Sequence, residues 1–249
     1  IILGATKPTI SVKSDLDIIS PNADGFKDSV KFSLKVSAFN KIKSWSLKII
    51  RIGPKIERTF AGLGNPPETV SWFGEKDDKK PLPDRQYSYT FEVDDEAGNR
   101  VSSLLKPITI DTTKPQIQVV VQPNIFSPNG DGYKDEASFA LSYKDKSPAA
   151  RWKLEIENGK KKVIKKFDGE GSLPVALTWD GKDEDGRTLK DGIYNYLLSA
   201  EDTVGNKMIT FRQTFKIDNT PPEVRLSADP ILFSPNADGE KDTATFLLE

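Results

Sequence analysis

The sequence predicts an all-β chain made of tandem two-sheet β-sandwiches, about seven strands in each. Three observations predict it. A nine-residue stretch, Ser-Pro-Asn-(Ala or Gly)-Asp-Gly-x-Lys-Asp, opens at Ser20, again at Ser127 and again at Ser234, 107 residues apart each time. Between the copies, apolar and polar residues alternate over short runs, the pattern of half-buried strands, and no window sustains a helical period. Turn residues separate the runs. A unit of about 100 residues can bury its own core without disulfides or metals.

The strands are read by superposing the two full copies. The first runs through Ile10 and Val12 in one copy and Ile117, Val119 and Val121 in the other. After the repeated loop come Val30, Phe32, Leu34 and Val36 against Ala137, Phe139, Leu141 and Tyr143, then Trp45, Leu47 and Ile49 against Trp152, Leu154 and Ile156. Gly53-Pro54 and Asn158-Gly159 turn the chain, the second pair being a strong hairpin signal because both residues tolerate positive φ. The fourth strand (Ile56, Arg58, Phe60; Val163, Lys165, Phe167) has a charge on its inward side and lysines around it, as expected of an edge strand guarded against pairing with other chains. Val70 and Trp72 match Val175, Leu177 and Trp179. Tyr87, Tyr89, Phe91 and Val93 match Tyr194, Tyr196, Leu198 and Ala200. The last strand takes Leu104, Ile108 and Ile110 against Phe211, Phe215 and Ile217. A tryptophan on the third strand and tyrosines on the sixth stand where immunoglobulin- and fibronectin-like sandwiches place core aromatics.

The period divides the chain into 1–6, the tail of a preceding unit or linker, one sandwich over 7–111, a second over 112–218, and 219–249, the start of a third repeat. Ile1-Ile2-Leu3 aligns with the last-strand residues Ile108-Thr109-Ile110, so both ends read as falling within a period. Ile110-Asp111-Thr112-Thr113-Lys114-Pro115 matches Ile217-Asp218-Asn219-Thr220-Pro221-Pro222. Such a joint leaves little slack, and proline narrows it further by fixing φ. The third copy carries only two strands (Val224, Leu226; Ala244, Phe246, Leu248), and disorder or pairing with another molecule is expected there.

Composition narrows the function. Lys and Arg total 36 against 37 Asp and Glu, a balance that argues against the basic stripe of a nucleic-acid binder. No run approaches the ~20 apolar residues of a membrane span. Histidine and cysteine are both absent, which excludes Ser-His-Asp and Cys-His catalysis and ordinary zinc sites.

The repeated loop is the sharpest chemical signal. Asn22, Asp24 and Asp28, Asn129, Asp131 and Asp135, and Asn236, Asp238 and Asp242 are candidate calcium ligands. In the middle copy Ser127, Asn129, Asp131, Gly132, Tyr133 and Asp135 follow the order of positions in a helix-loop-helix calcium loop. The bidentate glutamate that would close such a loop is replaced by Lys31, Ser138 or Thr245. The same residues also make a tight turn, with Asn and Asp bonding local amides and Gly at positive φ, and the turn is the preferred reading. Sandwich topology brings the loop beside Asp111, and brings Glu201-Asp202-Thr203-Val204-Gly205-Asn206 to the same joint from the other side. Asp24, Asp28, Asp111 and Asp202 could then converge on an ion. The tryptophans could form a sugar platform, but each keeps its strand's apolar phase, which favours the core. Asp180, Asp183, Asp185 and Asp191 read as a solvated turn, because nothing apolar walls them in.

The Ser-Pro-Asn-(Gly/Ala)-Asp-Gly-x-x-Asp loop, Trp179-Asp180-Gly181-Lys182-Asp183-Glu184-Asp185-Gly186 and Asp191-Gly192-Ile193-Tyr194-Asn195-Tyr196 resemble the immunoglobulin-like domain of flagellar hook-capping proteins. Glu201-Asp202-x-x-Gly205-Asn206, with the Ile217-Asp218-Asn219-Thr220-Pro221-Pro222 joint, is similar to bacterial immunoglobulin-like repeats of adhesins. Unit one departs at Trp72-Phe73-Gly74 and carries Asp84-Arg85 for Asp191-Gly192. The resemblance implies a non-catalytic segment of an exported bacterial envelope or surface protein, a rigid spacer or adhesion module. Its partners would be neighbouring repeats and a protein or glycan, without nucleic acid or membrane insertion. The alternatives are a carbohydrate-binding accessory module, which needs exposed aromatics, and a hook-assembly role, which in that family comes with an N-terminal assembly region.

Overall fold

The computed structural model describes residues 6–248, so the readings on Ile1-Ile2-Leu3 and Glu249 lie outside it. Nine strands form the first unit: β1 Thr9–Ser14, β2 Ile18–Ile19, β3 Val30–Ser37, β4 Ile42–Arg51, β5 Lys55–Leu63, β6 Thr69–Trp72, β7 Arg85–Asp95, β8 Arg100–Ser102 and β9 Lys106–Ile110. Nine more form the second: β10 Gln116–Gln122, β11 Ile125–Phe126, β12 Ala137–Lys144, β13 Ala149–Glu157, β14 Val163–Glu170, β15 Ala176–Trp179, β16 Gly192–Asp202, β17 Lys207–Ile209 and β18 Gln213–Ile217. In each unit a three-stranded sheet (β1-β3-β6; β10-β12-β15) accompanies a larger one (β2-β9-β7-β4-β5 with β8 on β7; β11-β18-β16-β13-β14 with β17 on β16). Among the described residues no sheet takes strands from both units.

Alternation forms the core. Along β3, Val30, Phe32 and Leu34 point inward and Lys31, Ser33 and Lys35 outward. Along β7, Tyr87, Tyr89, Phe91 and Val93 face them from the other sheet. Phe32 and Tyr89 meet with ring centroids 4.7 Å apart, and Phe139 and Tyr196 repeat the contact at 5.3 Å. Trp72 and Trp179 are sealed in these cores, Trp152 is buried and Trp45 is partly buried against the first core. The four rings thus pack inward, as the phase of their strands requires.

The extra strands have a physical origin. The first predicted strand is β1, which pairs with β3; the chain then crosses to the other sheet as β2, a strand the sequence reading did not place, parallel with β9 (Ile18↔Thr109, Ile19↔Ile110). The chain therefore leaves β2 beside the exit of β9, where the Asp111 amide donates to the Ile19 carbonyl at 3.0 Å. Sandwich topology thus places the acidic loop at the bottom of its own unit. The short strands β8 and β17 follow a tight loop at the opposite end of β7 and β16.

Several sequence readings are corrected. Leu104 and Phe211 lie outside the last strand and are almost wholly exposed, in the connection from β8 to β9 and its counterpart. Val175 precedes β15 and is exposed. The β13–β14 turn is not built on positive φ at Asn158-Gly159. Lys161 takes φ 61°, while the Asn158 side chain accepts from the Lys160 and Lys162 amides. Asn158 therefore acts through its side-chain oxygen. Strands β5 and β14 are sheet edges, with Arg58 and Lys165 over Phe60 and Phe167. The third copy pairs with itself as β19 Leu226–Asp229 and β20 Thr245–Leu248, leaving Leu226, Phe246 and Leu248 exposed.

Trp179 fills the second core and donates its indole N–H to the Lys182 carbonyl at 2.8 Å. Trp179→Ala should destabilise the second unit by about 3–5 kcal/mol in urea unfolding, the cost of an aromatic-sized cavity.

Candidate functional site

The site is the joint between the units, and it begins with the acidic loop. In the first copy the Asp28 carboxylate accepts the Asn22, Ala23 and Gly25 amides at 3.0, 2.7 and 2.8 Å. Asn22 Oδ1 accepts the Asp24 amide and Asp24 Oδ1 the Phe26 amide. The second copy repeats the arrangement through Asp135, Asn129 and Asp131, and the third through Asp242, Asn236 and Asp238. Ala23, Gly25 and Lys27 take positive φ, as do Gly130, Gly132 and Lys134, and Ala237, Gly239 and Lys241. Three copies with different neighbours share one conformation, so the loop is shaped by its own Asn and Asp side chains. The Gly130 and Gly132 amides hold Asp135 below the usual carboxylate range.

All nine candidate calcium ligands are thus engaged inside their own loops. An ion at Asp28, Asp135 or Asp242 would compete with the amides those carboxylates already accept. Among the described residues no group of three or more Asp, Glu, His or Cys is placed to hold a metal ion. The other acidic turn is also taken up structurally: Asp183 Oδ1 accepts the Asp185 and Arg187 amides, and Glu184 fastens the β14 edge through the Lys166 amide.

The two loops expected at the joint do meet, through an amide and an amine. Asn206, at the end of the β16–β17 turn, is buried and makes four side-chain hydrogen bonds. Its Oδ1 accepts from Ser20 Oγ at 2.8 Å and Asn22 Nδ2 at 3.3 Å. Its Nδ2 donates to the Asp111 carbonyl at 3.0 Å and to Asp202 Oδ2 at 2.8 Å. Only a side chain that both donates and accepts can do this. Lys27 Nζ donates to the Thr203 carbonyl at 2.6 Å. Phe26 lies against Gly205, where an added Cβ would stand 2.7 Å from the ring. Asp111 is buried, accepting Ser147 Oγ with one oxygen and the Thr113 amide with the other. Asp28 belongs to its own loop and does not join Asp111 and Asp202 here.

A second device holds the linker itself. Asp84 accepts the Thr112 amide at 2.9 Å and the Thr112 hydroxyl at 2.8 Å, and also the Thr113 hydroxyl. Asp191 does the same one period later with the Asn219 amide at 2.8 Å and the Thr220 hydroxyl. Asp191 is therefore a linker clamp and no part of the turn before it. The sequence reading brought the stretches holding Ser20, Lys27 and Asn206 to the joint but gave these three residues no role in it, and the pair Asp84/Asp191 escaped it as joint residues. Their recurrence as Ser127, Lys134, Asn99 and each other at the same period is the signal that could have found them.

Comparison with known proteins places the architecture. Residues 129–203 match the model of the FlgD Ig-like domain, and residues 183–238 that of the bacterial Ig-like domain (group 3). Both matches fall on the second unit and the joint that follows it, which are similar to bacterial immunoglobulin-like domains over these residues. A C5a peptidase of Streptococcus pyogenes is 29% identical over 120 residues, covering 41% of this chain and 10% of that protein. The chain therefore spans about a tenth of the curated relatives it matches. Among solved structures, a 1.5-MDa bacterial ice-binding adhesin is 15% identical, covering 89% of this chain and 69% of that one, with a TM-score of 0.44. A tetra-tandem repeat from the extending region of a large adhesion protein is 16% identical, covering 86% and 50%, with a TM-score of 0.38. Fibronectin(III)-like modules of Clostridium thermocellum CbhA are 12% identical, covering 84% and 93%, with a TM-score of 0.37.

The immunoglobulin-like units meet over an electrostatic tension as well. Burial raises the Asp145 carboxyl above its ordinary range, and the charges of Asp111 and Asp202 add to the rise. Its Oδ2 is buried without a hydrogen-bond partner. An acid whose folded pKa is raised costs stability at neutral pH and loses that cost as it protonates. Asp145→Asn should therefore raise the melting temperature at neutral pH, with the gain shrinking as pH falls through the carboxylate range.

Removing the amide at the centre of the joint leaves the Ser20 hydroxyl and the Asp111 carbonyl buried without it. Asn206→Ala should cost about 2–4 kcal/mol in urea unfolding. Asn206→Asp should cost more, since a carboxylate cannot donate to the Asp111 carbonyl and repels Asp202. The Thr220 hydroxyl, and after it the Asn219 amide, hold Asp191 below the usual carboxylate range. That clamp is present above the unfolded carboxylate pKa and is lost as pH falls through the folded one. Protection of the Asn219 amide against hydrogen exchange, taken relative to its intrinsic rate at each pH, should fall over that window, and Asp191→Asn should abolish that change in protection.

Proposed function

We propose that this chain is a non-catalytic spacer segment of an exported bacterial envelope or surface protein. In this reading two separately folding immunoglobulin-like units, 7–111 and 112–218, are held end to end at a fixed angle. The buried polar joint carries the proposal. A flexible linker would leave Ser20, Asp111 and Asn206 in water, whereas here they are buried and bonded across the units. Inter-domain contacts are by default small and mobile, so a buried polar network bonded across the domains at Asn206 points to a held geometry. The match to bacterial immunoglobulin-like models supports a module that positions something else. Among the described residues no helix is long and apolar enough to cross a membrane.

The chain contains no cysteine, so labels can be placed cleanly. Lys35 and Ser142 occupy equivalent exposed positions on β3 and β12. Spin labels at Lys35→Cys and Ser142→Cys should give one narrow distance distribution by pulsed electron paramagnetic resonance. Adding Asn206→Ala and Lys27→Ala should broaden it. A distribution that is broad from the start and unmoved by those changes would end the spacer reading.

A further inference from the structure

The top of unit one repeats the surface on which unit one itself docks. Asp95–Asn99 superposes by period on Asp202–Asn206 and is built by the same bonds. The Asn99 amide donates to Asp95 Oδ1 at 2.8 Å and Asn99 Nδ2 to Asp95 Oδ2 at 2.8 Å. Asn206 does so to Asp202 at 2.9 and 2.8 Å. Both central glycines take positive φ, 85° at Gly98 and 96° at Gly205.

The two surfaces differ in what covers them. Val204 and Gly205 are buried beneath the acidic loop of unit one, whereas Ala97 and Gly98 are exposed. An added Cβ at Gly205 would meet Phe26, while at Gly98 it meets open space among the described residues. Asn40 stands in the place of Ser147 and donates to Asp95 Oδ2 at 3.0 Å. It brings an amide donor to the spot where Ser147 bonds the incoming Asp111. The complementary surface recurs too. Ser127 is half-buried and Tyr133 and Lys134 exposed at the bottom of unit two, while their equivalents Ser20 and Lys27 are more buried at the joint.

We propose that Asp95–Asn99 is a docking socket for the acidic loop of another immunoglobulin-like unit placed ahead of unit one. The incoming loop would carry the pattern Ser-Pro-Asn-x-Asp-Gly-aromatic-Lys. Its serine bonds the Asn99 amide group, its aromatic ring covers Gly98, and its lysine reaches the Glu96 carbonyl, which is the period equivalent of Thr203. The inference rests on the spacer reading, because the docked joint is its template. It extends that reading to a rule for which units can be neighbours. Unit two, with Tyr133 and Lys134, fits the rule. The third loop, with Glu240 in the aromatic position, departs from it.

The test adds a copy of residues 7–113 directly ahead of Lys7 in the otherwise complete chain, keeping the period. Spin labels go at the Lys35 position of the added unit and at the original Lys35. The distance and width should equal those of the Lys35–Ser142 pair across the native joint, and Asn99→Ala should broaden the new distribution as Asn206→Ala broadens the native one. If the native pair is narrow while the new pair is broad and indifferent to Asn99→Ala, the socket is wrong and the spacer reading stands. If the native pair is itself broad and indifferent to Asn206→Ala, both fall.

Discussion

The joint depends on one requirement: the polar groups from both units that are buried around Asn206 must find partners. An unpaired buried donor or acceptor costs on the order of 1–3 kcal/mol, comparable to the net gain from several surface contacts. Asn206 meets the requirement by joining four partners from both units at one amide. A rotation of either unit about the linker would break several of these bonds together. Pairing is thus the source of rigidity here, with Phe26 packed on Gly205 beside it.

Three features of the fold prepare that pairing. The acidic loop is closed by its own side chains, so it presents Ser20, Asn22 and Lys27 in a set geometry without help from the neighbour. The crossing of the chain from β1 in one sheet to β2 in the other then delivers the loop beside Ile110 and Asp111. The Asp84 clamp holds Thr112 and Thr113 in the short stretch that remains. Loop, topology and linker each remove freedom before the units touch, so less ordering entropy opposes docking.

The core was legible in the sequence because burial on a strand leaves a period-two trace. Phe32, Leu47, Phe139 and Trp179 follow it. Leu104, Val175 and Phe211 misled because apolar residues beside a strand look like members of it, although nothing in the fold covers them. The two-residue β2 and β11 and the three-residue β8 and β17 were too short to show a period. Asn206 and Asp191 left no local mark, since a polar residue bonded across a joint has the same composition signature as one in water. In the acidic loop the sequence left two readings open, and the structure shows only that its Asn and Asp oxygens accept amides of the same loop, with Ala23, Gly25 and Lys27 at positive φ.

The central claim is that Ser20 and Asn206 are energetically coupled across the units. A double-mutant cycle measures this directly, using Ser20→Ala, Asn206→Ala and the double variant in urea unfolding of the whole chain. Groups in one buried network show coupling of about 0.5–3 kcal/mol, whereas independent sites add within about 0.5 kcal/mol. Coupling within the first range is the result this structure predicts. Simple additivity would contradict it, because the two residues would then be neighbours without being partners.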